Sequence, residues 1–209
     1  MRALFVEIRS GAYESVARHI DNDPSLVHAV AKSPPKKDDG QSTLQVAIKS
    51  GNFDVAHLLL DRGADVNFID SSAINRWNVP VLHDALRAAV FSTRFGRNRA
   101  LPGEPRHIEI MNTADDFERA FGLLTRMIAS GADPHREDSM GNPALMRAVL
   151  DARQVVEEPL LPELEEDLAR VFGLLRDAGA DFEWSDPRTG QRISDTFAAE
   201  PVGRLLDRG

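Results

Sequence analysis

Cysteine is absent from the sequence of 209 residues. Without it the chain can form neither a disulfide framework nor a thiolate metal site, and a cysteine nucleophile is excluded. Long apolar runs are lacking as well. No stretch approaches the roughly eighteen residues that a membrane-spanning helix needs, and Glu7 and Arg9 interrupt the apolar run near the start, well short of a secretory signal. We therefore expect a soluble, cytoplasmic protein.

The signatures of common catalytic sites are also missing. None of the six histidines has a second histidine at the four-residue spacing of a helical zinc site, and no HExxH motif occurs. Neither a GxxxxGK[ST] phosphate loop nor a GxSxG nucleophile elbow is present. We therefore predict no catalytic residue, no metal ligand and no cofactor.

Paired carboxylates are the one feature that could form a catalytic site. Glu157 and Glu158, together with the acidic run at 165–167, could act as acid and base or hold Mg²⁺. A solvated acidic face is the simpler interpretation, because the sequence supplies neither an apolar pocket nor a neighbouring base. A hydrolase with an acidic metal site between two inserted segments remains the least favoured alternative.

Charge is plentiful but unevenly distributed. The net charge of −8 argues against a general affinity for nucleic acid or for an anionic membrane. Residues 151–186 carry eleven acids against three arginines, whereas residues 87–107 carry five arginines against one glutamate. We expect solvated faces in both stretches, or arginines that meet either an acidic partner protein or the acidic segment next to them.

What the sequence does contain is a repeated motif. An apolar helix end closed by Gly-Ala-Asp occurs at 58–65, returns at 127–133, and occurs again at 174–181. Such a recurrence indicates one supersecondary unit stacked upon itself. Stacked repeats present a long surface and are more often a binding platform than a reaction vessel.

The clearest unit spans residues 40–67. Ser42 is placed to cap a first helix, a second helix follows from Asp54, and Gly63 stands just past its end, where a left-handed conformation suits glycine. Apolar residues at helical spacing are predicted to form the buried face of both helices, and they are Leu44, Ala47, Ile48, Val55, Leu58 and Leu59.

This unit closely resembles an ankyrin repeat. The opening Ser-Thr-Leu-Gln-Val-Ala at 42–47 is similar to the family's Thr-Pro-Leu-His-x-Ala, and Gly-Ala-Asp-Val-Asn at 63–67 matches the family's ending. Gln45 replaces the usual histidine, which the third unit retains as His83. The resemblance implies that His83 hydrogen-bonds a turn, and that the fold is an all-α solenoid of about five helix-turn-helix repeats with short hairpin fingers.

The remaining repeats deviate from the family pattern, chiefly by insertion. We assign a single ankyrin-repeat domain over 1–209, with repeats at approximately 1–39, 40–77, 78–140 and 141–189 and a C-terminal cap at 190–209. Inserts at 91–113 and 155–167 separate inner from outer helices in the third and fourth repeats. We expect the first to be a basic loop and the second to pack Leu160, Leu161 and Leu164 back on the scaffold.

The resemblance implies protein–protein recognition without catalysis, through the concave face and the fingers. Exposed tryptophan and arginine are enriched among interface hot spots, although each tryptophan could instead cover the end of a helix pair. We predict that a partner protein contacts Arg76, Trp77, His83, Asp84, Arg147, Trp184, Asp186 and Arg188.

The kind of partner is a separate question. Small, cysteine-free, acidic chains of this type resemble stand-alone bacterial ankyrin proteins. An immunity protein that neutralises a cognate toxin fits the acidity, because many toxins that attack nucleic acid are basic. A regulatory or chaperone-like subunit of an enzyme is the alternative. We expect a protein partner, a basic toxin or an enzyme, rather than nucleic acid or a membrane.

Overall fold

The computed structural model describes residues 1–72, 74 and 76–206, in which there are ten α-helices and one two-stranded hairpin. The helices are α1 (Arg2–Ser10), α2 (Tyr13–Asn22), α3 (Thr43–Lys49), α4 (Phe53–Asp61), α5 (Val81–Phe91), α6 (Ala114–Ala129), α7 (Ala144–Val155), α8 (Pro162–Asp177), α9 (Ile193–Phe197) and α10 (Gly203–Leu206). The strands β1 (Gly96–Asn98) and β2 (Ile108–Ile110) lie between α5 and α6. Residues 207–209 of the predicted C-terminal cap lie outside the described residues.

Consecutive helices pack in pairs, and the pairs stack. Within pairs, α1 packs on α2, α3 on α4, α5 on α6, α7 on α8 and α9 on α10. Between pairs, α1, α3, α5 and α7 form one row of neighbours, while α2, α4, α6 and α8 form a second. These two rows are the inner and outer layers of a solenoid, so the predicted all-α repeat fold is confirmed.

The second helix pair shows how the sequence produces this unit. The side chain of Ser42 accepts a hydrogen bond from the backbone N–H of Gln45 at 3.1 Å, and the side-chain oxygen of Gln45 accepts one from the backbone N–H of Ser42 at 3.2 Å. This reciprocal cap fixes the start of α3. Leu44 and Leu58 are buried between the helix layers, as predicted.

Each Gly-Ala-Asp motif ends an outer helix in the same way. The alanine N–H of each motif donates to a carbonyl in the last turn of the helix, at 2.9, 3.0 and 2.9 Å in the three repeats. The glycine before it must adopt a positive φ, and the values are 84° at Gly63, 88° at Gly131 and 83° at Gly179. The left-handed conformation predicted for Gly63 is confirmed, and Gly131 and Gly179 adopt it as well.

The inserts both lengthen helices and add structure. The outer helices α6 and α8 have 16 residues each, against nine in α4. The first insert, predicted as a loop, contains the antiparallel pair β1–β2, in which Gly96 pairs with Ile110. The second insert packs as predicted, with Leu164 buried and Leu160 and Leu161 half-buried against the core.

Hairpin-like connections precede the inner helices. We number them finger 1 (30–42), finger 2 (69–80), finger 3 (134–144) and finger 4 (185–192). Isolated backbone bridges close the first, second and fourth, and the Ala144 N–H closes the third by donating to the carbonyl of Pro134 at 3.1 Å.

The first three fingers are also joined to each other. The Ser71 N–H in finger 2 donates to the Gly40 carbonyl in finger 1 at 3.2 Å. The Ser139 N–H in finger 3 donates to the Asn78 carbonyl at 2.9 Å, and the Asn78 N–H donates to the Ser139 hydroxyl at 3.2 Å. Hydrogen bonds therefore make fingers 1 to 3 one continuous row.

The helices have no membrane-spanning character: within the residues described, none is long and apolar enough to cross a bilayer.

Candidate protein-binding surface

Exposed apolar side chains stand on fingers 2 and 3. Ile74 is 49% exposed, Trp77 45% and Met140 52%. Trp77 precedes Asn78 in the chain, and Met140 follows Ser139. Both exposed residues therefore lie next to the hydrogen bonds that join Asn78 to Ser139. We call Ile74, Trp77 and Met140 the fingertip residues.

A buried carboxylate organises finger 3 beneath Met140. Asp138 accepts hydrogen bonds from the backbone N–H of Met140 at 2.8 Å and from that of Asn142 at 3.1 Å. The side-chain amide of Asn142 donates to both carboxylate oxygens of Asp138 at 3.1 Å. The finger is thus held by its own side chains, which fixes the position of Met140.

The remaining predicted contact residues on the fingers have different environments. Arg76 is exposed beside Trp77. Trp184 is half-buried and packs against the core, so it takes the covering role that the sequence left open. On finger 4, Arg188 binds Asp186 at 2.9 and 3.0 Å, and these bonds lower the pKa of the Asp186 carboxyl.

His83 lies inside the molecule rather than on the contact surface. Its Nε2 is 3.2 Å from the carbonyl oxygen of Arg136, which is the turn contact that the ankyrin resemblance implies. Burial lowers the pKa of His83 to about 4, so the ring is neutral and Nε2 must carry the proton that it donates. Gln45 makes the equivalent contact one repeat earlier, with the Val79 carbonyl at 3.1 Å.

Asp84 is also largely buried, but it faces a lysine on the neighbouring inner helix. Its carboxylate accepts a hydrogen bond from the Gln45 side chain at 3.1 Å, and the Lys49 ammonium lies 4.0 Å away. Burial raises the pKa of Asp84 to about 6, in spite of the opposing effect of Lys49.

Another buried carboxylate joins α5 to α7. Asp151 accepts hydrogen bonds from Arg87 at 2.8 Å and from Arg147 at 2.6 and 2.9 Å. Burial raises the pKa of Asp151, and the arginines oppose that shift. We call Lys49, Asp84, Arg87, Arg147 and Asp151 the inner-helix charge row.

Three members of this charge row were missed by the sequence prediction, namely Lys49, Arg87 and Asp151. The four-residue spacing of Arg147 and Asp151 on one helix is a signal that could have found the last of them. The cross-helix contacts Lys49–Asp84 and Arg87–Asp151 carry no comparable signal, because they join residues 35 and 64 positions apart.

The two inserts bind each other through ion pairs. Arg94 donates to the Asp167 carboxylate from its backbone at 2.8 Å and from its guanidinium at 2.6 Å, and it also binds Glu166 at 2.9 Å. Arg97 binds Glu157 at 2.8 Å. The basic segment therefore does meet the acidic segment next to it, one of the three outcomes left open by the sequence.

The interpretation of residues 165–167 as a solvated acidic face is wrong for Asp167. Its side chain is completely buried because Arg94 surrounds the carboxylate with donors. In the part of the chain that the structure describes, no three histidine or carboxylate side chains are placed to hold a metal ion. Glu157, Glu166 and Asp167 each form an ion pair with an arginine side chain instead.

Helix pairs stacked in two layers, joined by a row of fingers, define a repeat solenoid whose extended surface suits binding. Residues 39–71, which include α3, α4 and the start of finger 2, match the family model of the ankyrin repeat. The chain therefore contains an ankyrin repeat at these residues, and this repeat is typical of protein–protein interaction modules. No curated protein matches the chain.

Proposed function

We propose that this protein binds a partner protein through the fingertip residues and the inner-helix charge row, and that it modulates the partner's activity without catalysing a reaction itself. The observation that carries the proposal is the exposure of Ile74, Trp77 and Met140 on fingers that hydrogen bonds hold in place. Apolar surface of this kind is unfavourable in water, and tryptophan and methionine are enriched in interfaces.

The hydrogen bonds between the described residues of fingers 2 and 3 support the same function. Asn78 and Ser139 join finger 2 to finger 3, and the buried Asp138 shapes finger 3 from within. A surface that is ordered before binding loses less conformational entropy when a partner docks. These hydrogen bonds thus order the backbone beside Trp77 and Met140 before a partner docks.

Charge favours a basic partner, and with it the specific role of a toxin-neutralising immunity protein. Among the residues described, most arginines already pair with carboxylates of the same chain, yet a net charge of −8 remains over the whole sequence. Opposite net charge speeds the encounter of two proteins and discriminates against wrong partners. Basic toxins that attack nucleic acid carry the complementary charge.

Affinity capture from a lysate of the source cells tests this proposal. The immobilised chain is compared with the double variant Trp77→Ser and Met140→Ser, which we expect to retain at least about tenfold less of a captured partner. The matched control replaces Leu101 and Ile110 by serine, because these side chains are at least as exposed as Trp77 and Met140 but lie in the first insert. A partner lost only with the control variant would contradict the proposal.

The purified partner then separates the possible roles. Inhibition of a toxic activity by one equivalent of this protein supports the immunity role. A partner enzyme that requires the chain for activity or solubility would indicate a regulatory or chaperone-like subunit instead.

A further inference from the structure

A small depression lies on the inner face, at the end of α5 that is remote from finger 2. Its volume is about 330 Å³. The lining residues are Ile48, Lys49, Asp84, Arg87, Ala88 and Phe91. This volume is at the lower end of the range for ligand pockets and corresponds to a few side chains rather than to a large cofactor.

The accessible charge in the depression is positive, whereas the net charge of the protein is negative. The cationic side chains are accessible, since Lys49 is 43% exposed and Arg87 50%. The carboxylates behind them are not, since the Asp84 side chain is 9% exposed and that of Asp151 is 0%. The depression therefore presents positive charge to its occupant, although the chain is acidic overall.

Neither cation has all its hydrogen-bond donors paired within the described part of the chain. Lys49 lies 4.0 Å from Asp84, which is too long for a hydrogen bond. Arg87 donates to Asp151 through Nη1, and among the described residues its Nε and Nη2 atoms have no such acceptor. Both side chains retain donors that can face the depression.

The same contacts restrict how these cations can move. Asp151 is itself fixed by Arg147, and Asp84 by the Gln45 amide. The Arg87 guanidinium also lies 4.7 Å from the centre of the Phe91 ring, a stacking contact. An arginine held on one edge and one face loses little further freedom when its remaining edge binds a planar anion.

We propose that this depression binds a single carboxylate side chain of the partner protein. The carboxylate bridges the Lys49 ammonium and the Arg87 guanidinium, and its methylene groups lie against Ala88 and Phe91. This inference rests on the proposed function, because it names the chemistry that the inner face recognises. One acidic anchor within an otherwise basic partner fixes the register of binding through charge complementarity.

Fragment titration monitored by NMR tests the site without the partner. The probes are the acetylated and amidated peptides Gly-Glu-Gly and Gly-Gln-Gly, and inorganic phosphate. We expect the glutamate peptide to shift the amide signals of Ala88 and Phe91 and the Arg87 Nε signal in a saturable way at about 10 mM or below. The glutamine peptide, which has the same shape without the charge, should leave them unchanged.

Two variants and one control locate the interaction. Lys49→Gln and Arg87→Gln should each weaken glutamate-peptide binding at least about threefold, and about tenfold together. Arg99→Gln is the matched control, because Arg99 is equally exposed on the insert hairpin and is paired with Glu109. Folding of each variant is checked by its NMR spectrum, and Lys49→Gln alone decides the result if Arg87→Gln is disordered.

The outcomes distinguish this proposal from the one on which it rests. An equal response to the glutamine peptide, no saturable shift with the glutamate peptide, or tighter binding of phosphate would overturn the carboxylate site. If the site fails while Trp77→Ser and Met140→Ser still abolish capture, the proposed function stands. If the glutamate peptide binds but no partner is captured, the proposed function fails instead.

Discussion

Two buried polar side chains at equivalent positions show how a single residue adapts the repeat. Gln45 and His83 each reach a backbone carbonyl of the finger that follows, Val79 in one case and Arg136 in the other. Gln45 does so with a side chain that never titrates, whereas His83 must remain neutral to stay buried. The two repeats are therefore alike in geometry but differ in their response to pH.

Replacing His83 by glutamine should make stability less sensitive to acid. The pKa of His83 is about 4 in the fold and about 6.5 in the unfolded chain, so only the unfolded chain gains a proton as pH falls between these values. The free energy of unfolding should thus decrease by about 3 kcal/mol more in the natural protein than in His83→Gln.

Urea denaturation at several values between pH 7 and pH 4 measures this difference. The raised pKa of Asp84 acts in the opposite direction but is common to both proteins, and so is the nearby charge of Asp138. His135→Gln, on the exposed part of finger 3, is the matched control and should follow the natural protein. Parallel curves for His83→Gln and the natural protein would refute a buried neutral imidazole.

Substitution of the two tryptophans should change the stability of the protein by different amounts. Trp184→Ala removes a half-buried ring from the core, and we expect a loss of about 1–3 kcal/mol, less than for a fully buried ring. Trp77→Ala should change stability by less than about 0.5 kcal/mol, because the residue lies on an exposed finger. Thermal and urea midpoints of both variants check this, and equal losses would refute the different roles.

At the scale of elements, the inserts are held by charges that lie far apart in the sequence. Arg94 and Asp167 are 73 positions apart, and their pairing attaches the segment before β1 to α8. Composition indicated that basic and acidic segments could meet. Which arginine met which acid could not be predicted, because that depends on how two lengthened helices place the segments.

Arg94→Ala should therefore destabilise the fold far more than loss of a surface pair. The Asp167 carboxylate would remain buried without its guanidinium hydrogen bonds, and we expect a cost of about 3–5 kcal/mol. Arg99→Ala is the control, since the exposed pair with Glu109 should contribute less than about 1 kcal/mol. Similar urea midpoints for the two variants would show that the inserts are not clamped by Asp167.

The contact between fingers 1 and 2 can be tested with a matched pair of glycines. Gly40 and Gly51 have φ values of 80° and 71°, so alanine is strained at both positions. At Gly40 an added Cβ would also lie 2.4 Å from the backbone nitrogen of Ser72, whereas at Gly51 it would meet nothing within 4 Å.

Gly40→Ala should consequently cost about 1–3 kcal/mol more than Gly51→Ala, which is the usual effect of forcing extra volume into a packed site. NMR signals of Ser71 and Ser72 should move in the first variant and remain in place in the second. Equal costs and unmoved signals would mean that the two fingers are not in contact.

At the scale of the whole molecule, the repeats could be predicted because their signals are local. Helical spacing around Leu44 and Leu58 and the recurring Gly63-type helix end were sufficient for the all-α solenoid. The candidate surface was less accessible to this reasoning. Trp77 and Trp184 have similar sequence surroundings, and only packing distinguishes the exposed ring from the covered one.

The inner-helix charge row could not be predicted for the same reason. Its carboxylates, Asp84 and Asp151, are buried by neighbouring repeats, and their cationic partners Lys49 and Arg87 come from other helices. Stacking decides these contacts, and one sequence without its fold does not reveal them.

Hydrogen–deuterium exchange with and without the captured partner tests most directly where this molecule binds. We expect slower exchange in the complex for backbone amides of finger 2, finger 3 and α5, with unchanged exchange in β1 and β2. Protection confined to the insert hairpin at 96–110, with finger amides exchanging as fast as in the free protein, would contradict recognition through the fingers and the inner face.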